Sequence, residues 1–374
     1  MKLRKEKNFF SVFDERTGHY IRTGVIENGR DTGIDPFMAS FPELLDVGIM
    51  GHCIHGKTGL CIEAGIECYQ GGLYKNNPNM RLADFENIAM QCRKQTYQFA
   101  LGGCGDPDQH EHFREILEIC EQEGIIPNFT TSGFGLTEEI AALCSKYCGA
   151  VAVSWYRSDY TLHAIDMLVK AGVKINIHYV LSKDTVEEAV DRLLSHSFPS
   201  GINAIVFLLH KPVGLGKAKN IITTDHELFR KLIGLVNSGY TDYKIGFDSC
   251  TVPALINYPG NINMDSLDTC EGARWSAYIS SDMKMMPCSF DNQDLRWAVD
   301  LRKYTIQEAW QSKEFEDFRN YFRLSCPDCP DRILCMGGCP IRPEVVLCDR
   351  KSNHIPPAIN GTYGSKKQNS FSGK

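Results

Sequence analysis

The chain has 374 residues, with 40 basic and 46 acidic side chains and a formal net charge of −6. This length exceeds that of one average domain, so we expect a large α/β domain and a smaller one. The acidic balance, without a long basic run, argues against nucleic acid and favours a peptide or a small molecule as partner. No stretch approaches about 18 uninterrupted apolar residues, and no signal-peptide core follows the N-terminal charges. We therefore expect no membrane partner and a cytoplasmic location.

Residues 1–45 are predicted to form an N-terminal hairpin that extends the main sheet. The stretch FSVFDERTGHYIRTGVI has two β-rich runs separated by a turn between Glu15 and Gly18, the pattern of a β-hairpin. At the other end, residues 353–374 are polar and rich in Gly and Ser. A segment with so little to bury is predicted to be a disordered tail.

Residues 46–245 are predicted to hold the main domain, because short apolar β-rich runs alternate there with helical patterns. The predicted strands are 44–50, 98–103, 125–132, 150–156, 174–181 and 204–210. The predicted amphipathic helices are 110–124, 136–149, 160–172 and 184–196. Units of this kind build either a doubly wound sheet or a partial barrel, and periodicity does not separate the two. In both folds the active site lies at the C-terminal ends of the strands.

Three cysteines follow the first of these strands, at Cys53, Cys61 and Cys68, with the spacing C-x7-C-x6-C. Three thiols are one short of a closed zinc or iron–sulfur site, so they predict a cluster with one open metal position. In a reducing compartment the 16 cysteines of the chain favour metal ligands over disulfides. Five others are interpreted as buried small hydrophobic residues: Cys92, Cys104, Cys120, Cys144 and Cys148.

A second group of cysteines lies near the C-terminus. The stretch CPDCPDRILCMGGC has the spacing C-x2-C-x5-C-x3-C. The group comprises Cys270, Cys288, Cys326, Cys329, Cys335, Cys339 and Cys348. Four thiolates at this spacing suit a structural zinc site as well as an iron–sulfur cluster. A count above four and a separate cysteine loop upstream favour iron–sulfur.

Together these residues resemble the radical S-adenosylmethionine (radical SAM) superfamily with a C-terminal SPASM domain. The signature of that domain is a cysteine, a spacer ending in G-x4-C, then C-x2-C-x5-C-x3-C and a last cysteine, and Met283 stands here in place of its glycine. The resemblance implies a partial (β/α)6 TIM-like barrel at 46–245 and a SPASM domain at 246–352. The family's first loop is C-x3-C-x2-C, so both spacers are lengthened here. Because ligation fixes the sulfur atoms and not the path between them, a longer loop with glycines can still enclose a cluster.

The resemblance implies SAM and three 4Fe–4S clusters as cofactors. Cys53, Cys61 and Cys68 would hold the cluster whose open iron binds SAM and cleaves it to a 5′-deoxyadenosyl radical, which abstracts hydrogen from the substrate. Two auxiliary clusters would be held by two interleaved sets: Cys270, Cys288 and Cys339 for the first, and Cys326, Cys329, Cys335 and Cys348 for the second. Cys250 could complete the first set, which we favour, or an open iron could bind substrate there.

The resemblance also assigns residues to SAM. They are Tyr69 after the last loop cysteine, the GGEP-like residues Gly103, Gly105, Asp106 and Pro107, and the strand residues Ser154 and His178. Asp106 would face the methionyl ammonium, whereas Ser154 and His178 could equally be hydrogen-bonded core groups. The segment 211–217 resembles the one that lies under the adenine in relatives. His55 is interpreted as a surface residue of the cysteine loop.

The general acid or base is predicted among three residues at strand ends, Asp248, His210 and Tyr156, each of which could instead be structural. SPASM relatives mostly oxidise or crosslink peptides, and auxiliary clusters can accept the electron that such a reaction releases. We therefore expect a peptide-modifying enzyme, such as a ribosomal natural-product maturase. Its partners would be a peptide, such as a short Cys-rich precursor, and a flavodoxin- or ferredoxin-type electron donor.

Two alternatives stay open. The first is a radical SAM enzyme acting on a small metabolite or a protein side chain. About 45 residues before the first strand are few for a leader-binding module, which weakens the leader-peptide version of a maturase. The second is a zinc- or cluster-bearing binding protein with structural thiols. Four ligands would close a structural site, whereas the radical enzyme needs three.

Overall fold

The computed structural model describes residues 1–258, 262–263, 266–345 and 347–348, so the predicted tail at 353–374 lies outside the described residues. Most of the chain folds around one large sheet. The strands are β1 Lys2–Lys5, β2 Phe10–Phe13, β3 Tyr20–Arg22, β4 Ile26–Glu27, β5 Arg30–Asp31, β6 Leu44–Met50, β7 Gln98–Gly103, β8 Ile126–Thr131, β9 Val151–Ser154, β10 Ile175–Leu181, β11 Ala204–Leu209, β12 Ile245–Phe247, β13 Ser276–Ile279, β14 Lys284–Met286 and β15 Val299–Asp300.

The helices follow ordinary capping rules. The side chains of Thr137, Ser158 and Ser312 each cap a helix by accepting from a backbone N–H three residues on, which satisfies a donor that the first turn leaves free. The helices are α1 Ile54–Thr58, α2 Leu60–Glu63, α3 Leu82–Cys92, α4 Phe113–Glu123, α5 Glu138–Tyr147, α6 Asp159–Lys170, α7 Val186–Leu194, α8 Glu227–Asn237, α9 Val252–Asn257, α10 Ile306–Trp310, α11 Lys313–Leu324 and α12 Arg332–Cys335. Among the described residues, every helix is too short or too polar to cross a bilayer.

The central sheet has ten strands in the order β12-β11-β10-β9-β8-β7-β6-β13-β14-β15. Strands β6 to β12 are parallel and adjacent in sequence order, with helices in most of the connections, which is the arrangement of a partial barrel. The six predicted strands and four predicted helices are confirmed to within a few residues. The seventh parallel strand, β12, and helices α3 and α8 were not predicted. The proposed domain boundary at residue 245 falls at the start of β12.

Burial alternates along the parallel strands. On β10, Ile177 and Tyr179 are fully buried under the helices, whereas Asn176 and His178 on the opposite face are only partly buried. Strands β7, β8 and β11 show the same alternation. The second face is lined largely by small or polar residues: Asp46, Gly48, Ala100, Gly102, Asn128, Thr130, Ala152 and Ser154. This concave face is therefore not filled by large apolar side chains.

The C-terminal region continues the same sheet. Strand β13 pairs with β6 in parallel, and β14 and β15 follow in antiparallel order. Buried Arg319 anchors this region because its guanidinium donates to the carbonyls of Ala273 (2.6 Å) and Trp310 (2.7 Å). The Trp310 indole in turn donates to the carbonyl of Ala39 at 3.0 Å. The C-terminal region and the barrel thus share one apolar core.

The N-terminal residues form the predicted hairpin, with β2 and β3 antiparallel, but the hairpin does not extend the main sheet. With β1 it forms a separate three-stranded sheet, and β4 and β5 form a two-stranded ribbon. The prediction of an extension was wrong because β7 and β13 occupy both sides of β6. Side chains dock the hairpin instead: Glu43 accepts hydrogen bonds from the hydroxyls of Ser11 (2.6 Å) and Tyr20 (2.5 Å).

Candidate cluster and cofactor sites

The lengthened cysteine loop folds as two short helices at the C-terminal end of β6. Cys53 is the N-cap of α1, and Gly59 joins α1 to α2 with φ of 78°, a left-handed conformation that favours glycine. Cys61 lies inside α2, and Cys68 follows it. The added residues are thus taken up as helical turns, and the thiols of Cys53 and Cys61 come within hydrogen-bonding contact.

The three loop thiols influence one another electrostatically. A hydrogen bond from Cys61, together with the backbone N–H groups of Gly56 and His55, lowers the pKa of Cys53 to about 6. The hydrogen bond to Cys53, burial and the charge of Cys68 raise the pKa of Cys61. Thiolates become metal ligands in their ionised form. The loop therefore presents three neighbouring sulfur donors, one of which ionises readily.

The donor set of the cysteine loop is compatible with an iron–sulfur cluster. Over the described part of the chain, no three Cys, His, Asp or Glu side chains converge closely enough to bind one metal ion together. In an iron–sulfur cluster each thiolate binds its own iron, so its ligands stand farther apart than those of one zinc ion. Neighbouring sulfurs that do not converge on one point are therefore compatible with a cluster.

A fourth cysteine, Cys104, also lies at the loop. It is buried as predicted, and burial raises its pKa to about 11, with further contributions from the charges of Cys68 and Cys53. Its carbonyl also lies against Gly72, where an added Cβ would be 3.3 Å from that oxygen. The sequence placed the stretch GGCGDPDQH, which contains Cys104, on the same sheet edge as the loop, but interpreted Cys104 only as a buried small hydrophobic residue.

His55 is buried at 2% exposure, so the interpretation of a surface residue was wrong. Its Nε2 lies 2.7 Å from the Ser132 hydroxyl and 3.3 Å from Asp106 Oδ2. Burial lowers the pKa of His55, but the hydrogen bond and charge of Asp106 outweigh burial and leave it raised. Its other ring nitrogen, Nδ1, has no hydrogen-bond partner among the described residues. The loop is thus tied to β7 and β8 through a buried polar network.

Asp106 is the centre of that network. Its Oδ1 accepts from the backbone N–H of Ser132 at 2.9 Å and its Oδ2 from the Ser132 hydroxyl at 2.5 Å. Asp106 therefore lies beside the cysteine loop, as a SAM-contacting residue would, but its carboxylate already has protein partners. The role toward the methionyl ammonium stays a prediction. Ser132, which directly follows β8, was missed by sequence reasoning.

Tyr156, Ser154 and His178 lie on the same side of the sheet. The Tyr156 and His55 rings have centroids 6.0 Å apart, and burial together with the charges of Asp106 and Cys61 raises the pKa of Tyr156. Ser154 and His178 are register partners on β9 and β10. Burial lowers the pKa of His178 to about 4, against the opposing charge of Asp248. The imidazole is therefore neutral near pH 7.

Asp248 and His210, the other two acid–base candidates, have structural partners. Asp248 Oδ2 accepts from the N–H of Leu209 at 3.0 Å, and its Oδ1 accepts from the Thr251 hydroxyl at 2.8 Å. His210 Nε2 lies 3.1 Å from the carbonyl of Lys217. These contacts do not bring the two residues into the network of Tyr156, so the three candidates do not form one group.

The segment 211–217 packs directly on the end of the cysteine loop. The N–H of Leu215 donates to the carbonyl of Cys68 at 2.9 Å. Gly214 has φ of 64°, and an added Cβ there would stand 2.3 Å from the Tyr69 carbonyl. The Tyr69 ring meets that of Phe290 at a centroid distance of 4.9 Å. The loop is therefore held between the barrel and the C-terminal region.

The C-terminal cysteines form two neighbourhoods. The first contains the half-buried Cys250, Cys270, Cys288 and Cys339, each of the first three having its pKa raised by burial and by the charges of others in the set. The second contains Cys326, Cys329, Cys335 and Cys348. Burial and the charge of Cys348 raise the pKa of both Cys326 and Cys335. The grouping is the one that the resemblance implied, and Cys250 lies with the first set. Met283 adopts the left-handed φ of 65°, which explains the glycine usual at that position.

Residues 270–330 match the SPASM family, described as an iron–sulfur cluster-binding domain. The C-terminal region contains a SPASM domain. The match includes Cys270, Cys288, Cys326 and Cys329, so cysteines from both neighbourhoods belong to the SPASM segment. Comparison with curated protein sequences gave no match.

The whole chain is similar to solved structures. Streptococcus suis SuiB has 14% identity and a TM-score of 0.68, with 93% of this chain and 97% of that chain covered. SuiB bound to precursor peptide SuiA has 15% identity and a TM-score of 0.65, covering 82% and 73%. Native anSMEcpe with bound AdoMet and Cp18Cys peptide has 17% identity and a TM-score of 0.58, covering 81% and 90%. At these identities the likeness shows the fold, and it confirms a partial barrel of parallel strands followed by the C-terminal region that contains the SPASM match.

Proposed function

We propose that this chain is a radical SAM enzyme that oxidatively modifies or crosslinks a peptide. The observation that carries the proposal is the position of the three-thiol loop. Cys53, Cys61 and Cys68 lie together at the C-terminal edge of a parallel half-barrel whose concave face is lined largely by small and polar side chains. Ligands of α/β sheets bind at this edge. Three thiolates leave one iron of a 4Fe–4S cluster open for SAM.

The protein's own residues would position SAM on the concave face. Bound cluster and SAM together supply a 5′-deoxyadenosyl radical that abstracts hydrogen. Tyr69 would support the loop, and the glycines of GGCGDP would let the backbone approach the cofactor. The assigned SAM-contacting set is Tyr69, Gly103, Gly105, Asp106, Pro107, Ser154 and His178. Of the acid–base candidates, Tyr156 is the one beside the loop, and its hydroxyl would stay protonated and able to donate.

The SPASM domain would hold two auxiliary clusters, for a total of three. Cys250 would complete the first set, so that four thiolates would close this cluster. A closed cluster would serve electron transfer and would have no open iron for substrate. Closing a bond or oxidising a side chain after hydrogen abstraction requires removal of one electron. Clusters held by Cys250, Cys270, Cys288 and Cys339 and by the second set would supply acceptors for that electron.

A peptide is the proposed substrate because two structures with this fold hold peptides: SuiB with the precursor peptide SuiA, and anSMEcpe with the Cp18Cys peptide. A flavodoxin- or ferredoxin-type protein would supply the electron for SAM cleavage. We also propose a cytoplasmic location, since a reducing compartment keeps free thiols available as cluster ligands.

The first experiment tests the cluster and the radical chemistry. The protein is purified anaerobically and reconstituted with iron and sulfide. Iron content and reductive SAM cleavage are then compared with those of a Cys53→Ala/Cys61→Ala/Cys68→Ala variant. A matched control removes three buried thiols elsewhere, Cys92, Cys120 and Cys144, all fully buried. About twelve irons per chain should fall to about eight in the loop variant and stay at about twelve in the control.

SAM cleavage should be lost in the loop variant and retained in the control. Zinc in place of iron, or cleavage that survives the loop substitutions, would refute the proposal. The peptide assignment is tested separately by mass spectrometry of short peptides encoded beside the gene, incubated with enzyme, SAM and reductant. A loss of two hydrogens from a peptide supports it, whereas SAM cleavage without any peptide change favours a small metabolite or a protein side chain.

A further inference from the structure

A buried lysine lies between the cysteine loop and the SPASM cysteines. The side chain of Lys211, directly after β11, has 0% exposure, and its Nζ lies 3.5 Å from Asp248 Oδ2. Nζ also lies 3.3 Å from the carbonyl of Leu209 and 4.3 Å from the centroid of the Phe290 ring. Burying an ammonium costs several kcal/mol unless opposite charge surrounds it. Asp248 supplies one opposite charge. The other neighbours of Nζ show which groups the lysine charge can act on.

Those neighbours are cysteines of the first SPASM neighbourhood. The ammonium interacts with the Cys250 thiol by a hydrogen bond and with Cys339 by charge, and its charge also acts on Cys288. The Asp248 carboxylate, whose Oδ2 lies 3.5 Å from Nζ, pairs with the buried ammonium. Lys211 is therefore a cation in contact with the proposed ligands of the first auxiliary cluster.

We propose that the Lys211 ammonium is a positioning residue for this cluster: a buried countercharge that donates toward its thiolates and raises its reduction potential. The inference rests on the proposed function, which places a four-thiolate cluster at Cys250, Cys270, Cys288 and Cys339. Such a cluster carries net negative charge that grows on reduction, so a nearby buried cation stabilises the reduced form. Net charge, hydrogen bonds to sulfur and solvent exposure are the factors that set cluster potentials.

The effect should be confined to one cluster. Among the described residues, the cation that acts on Cys326 in the second neighbourhood is Arg332, which is only partly buried, so solvent screens it. Asp248 anchors Lys211, because the same carboxylate is fixed by the Leu209 N–H and the Thr251 hydroxyl. The hydrogen-bonded position of Lys211 thus depends on the end of β11 and on the turn after β12. A higher potential would make the first auxiliary cluster the better acceptor for the electron released by the substrate.

The test is an EPR-monitored redox titration. The Cys53→Ala/Cys61→Ala/Cys68→Ala variant serves as parent, so that about eight irons in two auxiliary clusters remain. Into it are placed Lys211→Met, which matches the side-chain length without charge, Lys211→Arg, which keeps the charge, and Lys219→Met. Lys219 is an exposed lysine of the same connection and is the matched control. Iron is counted in every sample.

We expect Lys211→Met to shift one of the two midpoint potentials to a more negative value and to leave the other unchanged. Lys211→Arg and Lys219→Met should keep both potentials near those of the parent. Full iron content with both potentials unmoved in Lys211→Met overturns the proposal. Loss of about four irons in both Lys211→Met and Lys211→Arg also overturns it, because Lys211 would then maintain the ligand frame. A parent without iron would instead refute the clusters, and with them the proposed function.

Discussion

Replacement of Gly214 by alanine probes how the segment 211–217 positions the third loop cysteine. Gly214 has φ of +64°, and an added Cβ would stand 2.3 Å from the carbonyl oxygen of Tyr69 and 2.7 Å from that of Cys68. Both obstacles are backbone atoms, so they cannot rotate away as the end of a side chain could. The neighbouring hydrogen bond from Leu215 to Cys68, at 2.9 Å, couples any shift of the segment to the ligand.

The magnitude has two parts. Alanine in the left-handed region costs roughly 1–2 kcal/mol relative to a glycine there. Overpacking of a tight contact adds roughly 1–3 kcal/mol, which brings the expected destabilisation for Gly214→Ala to about 2–5 kcal/mol. Gly172 is the matched control, because it has φ of +76° and an added Cβ would meet nothing within 4 Å. Gly172→Ala should therefore show only the first part.

Denaturant unfolding, iron content and SAM cleavage are measured for both variants. We expect both to lose stability, and Gly214→Ala alone to lose iron from the loop cluster and to cleave SAM more slowly. The reasoning is refuted if the two variants lose the same stability, or if Gly214→Ala retains full iron and full cleavage.

Two other variants test the concave face. At Gly102 an added Cβ would meet no atom within 4 Å, so Gly102→Val should change the free energy of unfolding by less than about 1 kcal/mol. The same variant should lower SAM affinity at least tenfold in equilibrium binding. Unchanged affinity would exclude this face as the SAM site. Burial holds the pKa of His178 at about 4 in the folded protein, against about 6.5 in the unfolded chain. Between these two pH values the unfolded state binds more protons than the folded state. The stability of the protein therefore falls as the pH drops from about 6.5 to about 4. At pH 5 the loss should be about 2 kcal/mol relative to pH 7.5, and His178→Gln should remove that part of the pH dependence in urea titrations; an unaltered profile would contradict it.

The strands were predictable because their signal is local. Runs such as LLDVGIM and KINIHYVL are apolar and β-rich, and successive units of this kind leave few topologies open. The cysteine spacing near the C-terminus was equally informative, since the SPASM family match begins at Cys270. The short helices α1 and α2 gave no periodic signal, because one or two turns are too few to show a 3.6-residue repeat.

Long-range placement was not predictable in the same way. Pairing of β13 with β6 joins residues far apart in sequence, and this pairing excluded the N-terminal hairpin from the main sheet. His55 was expected at the surface, yet its contacts with Asp106 and Ser132 bury it. Burial of a polar residue depends on partners supplied by other strands, and single-sequence patterns do not identify those partners.

The sequence by itself thus determined the βα architecture, the three-thiol loop and the presence of a cysteine-rich C-terminal region. Apolar periodicity and cysteine spacing, which carry these features, depend only on residues that are close together in the chain. Only the tertiary structure decided that Cys250 joins Cys270, Cys288 and Cys339. It also decided that Lys211 is buried beside them. Lysine is almost always exposed. Lys211 is buried here because the neighbouring strand β12 brings Asp248 within 3.5 Å of its ammonium and Phe290 of the C-terminal region covers it.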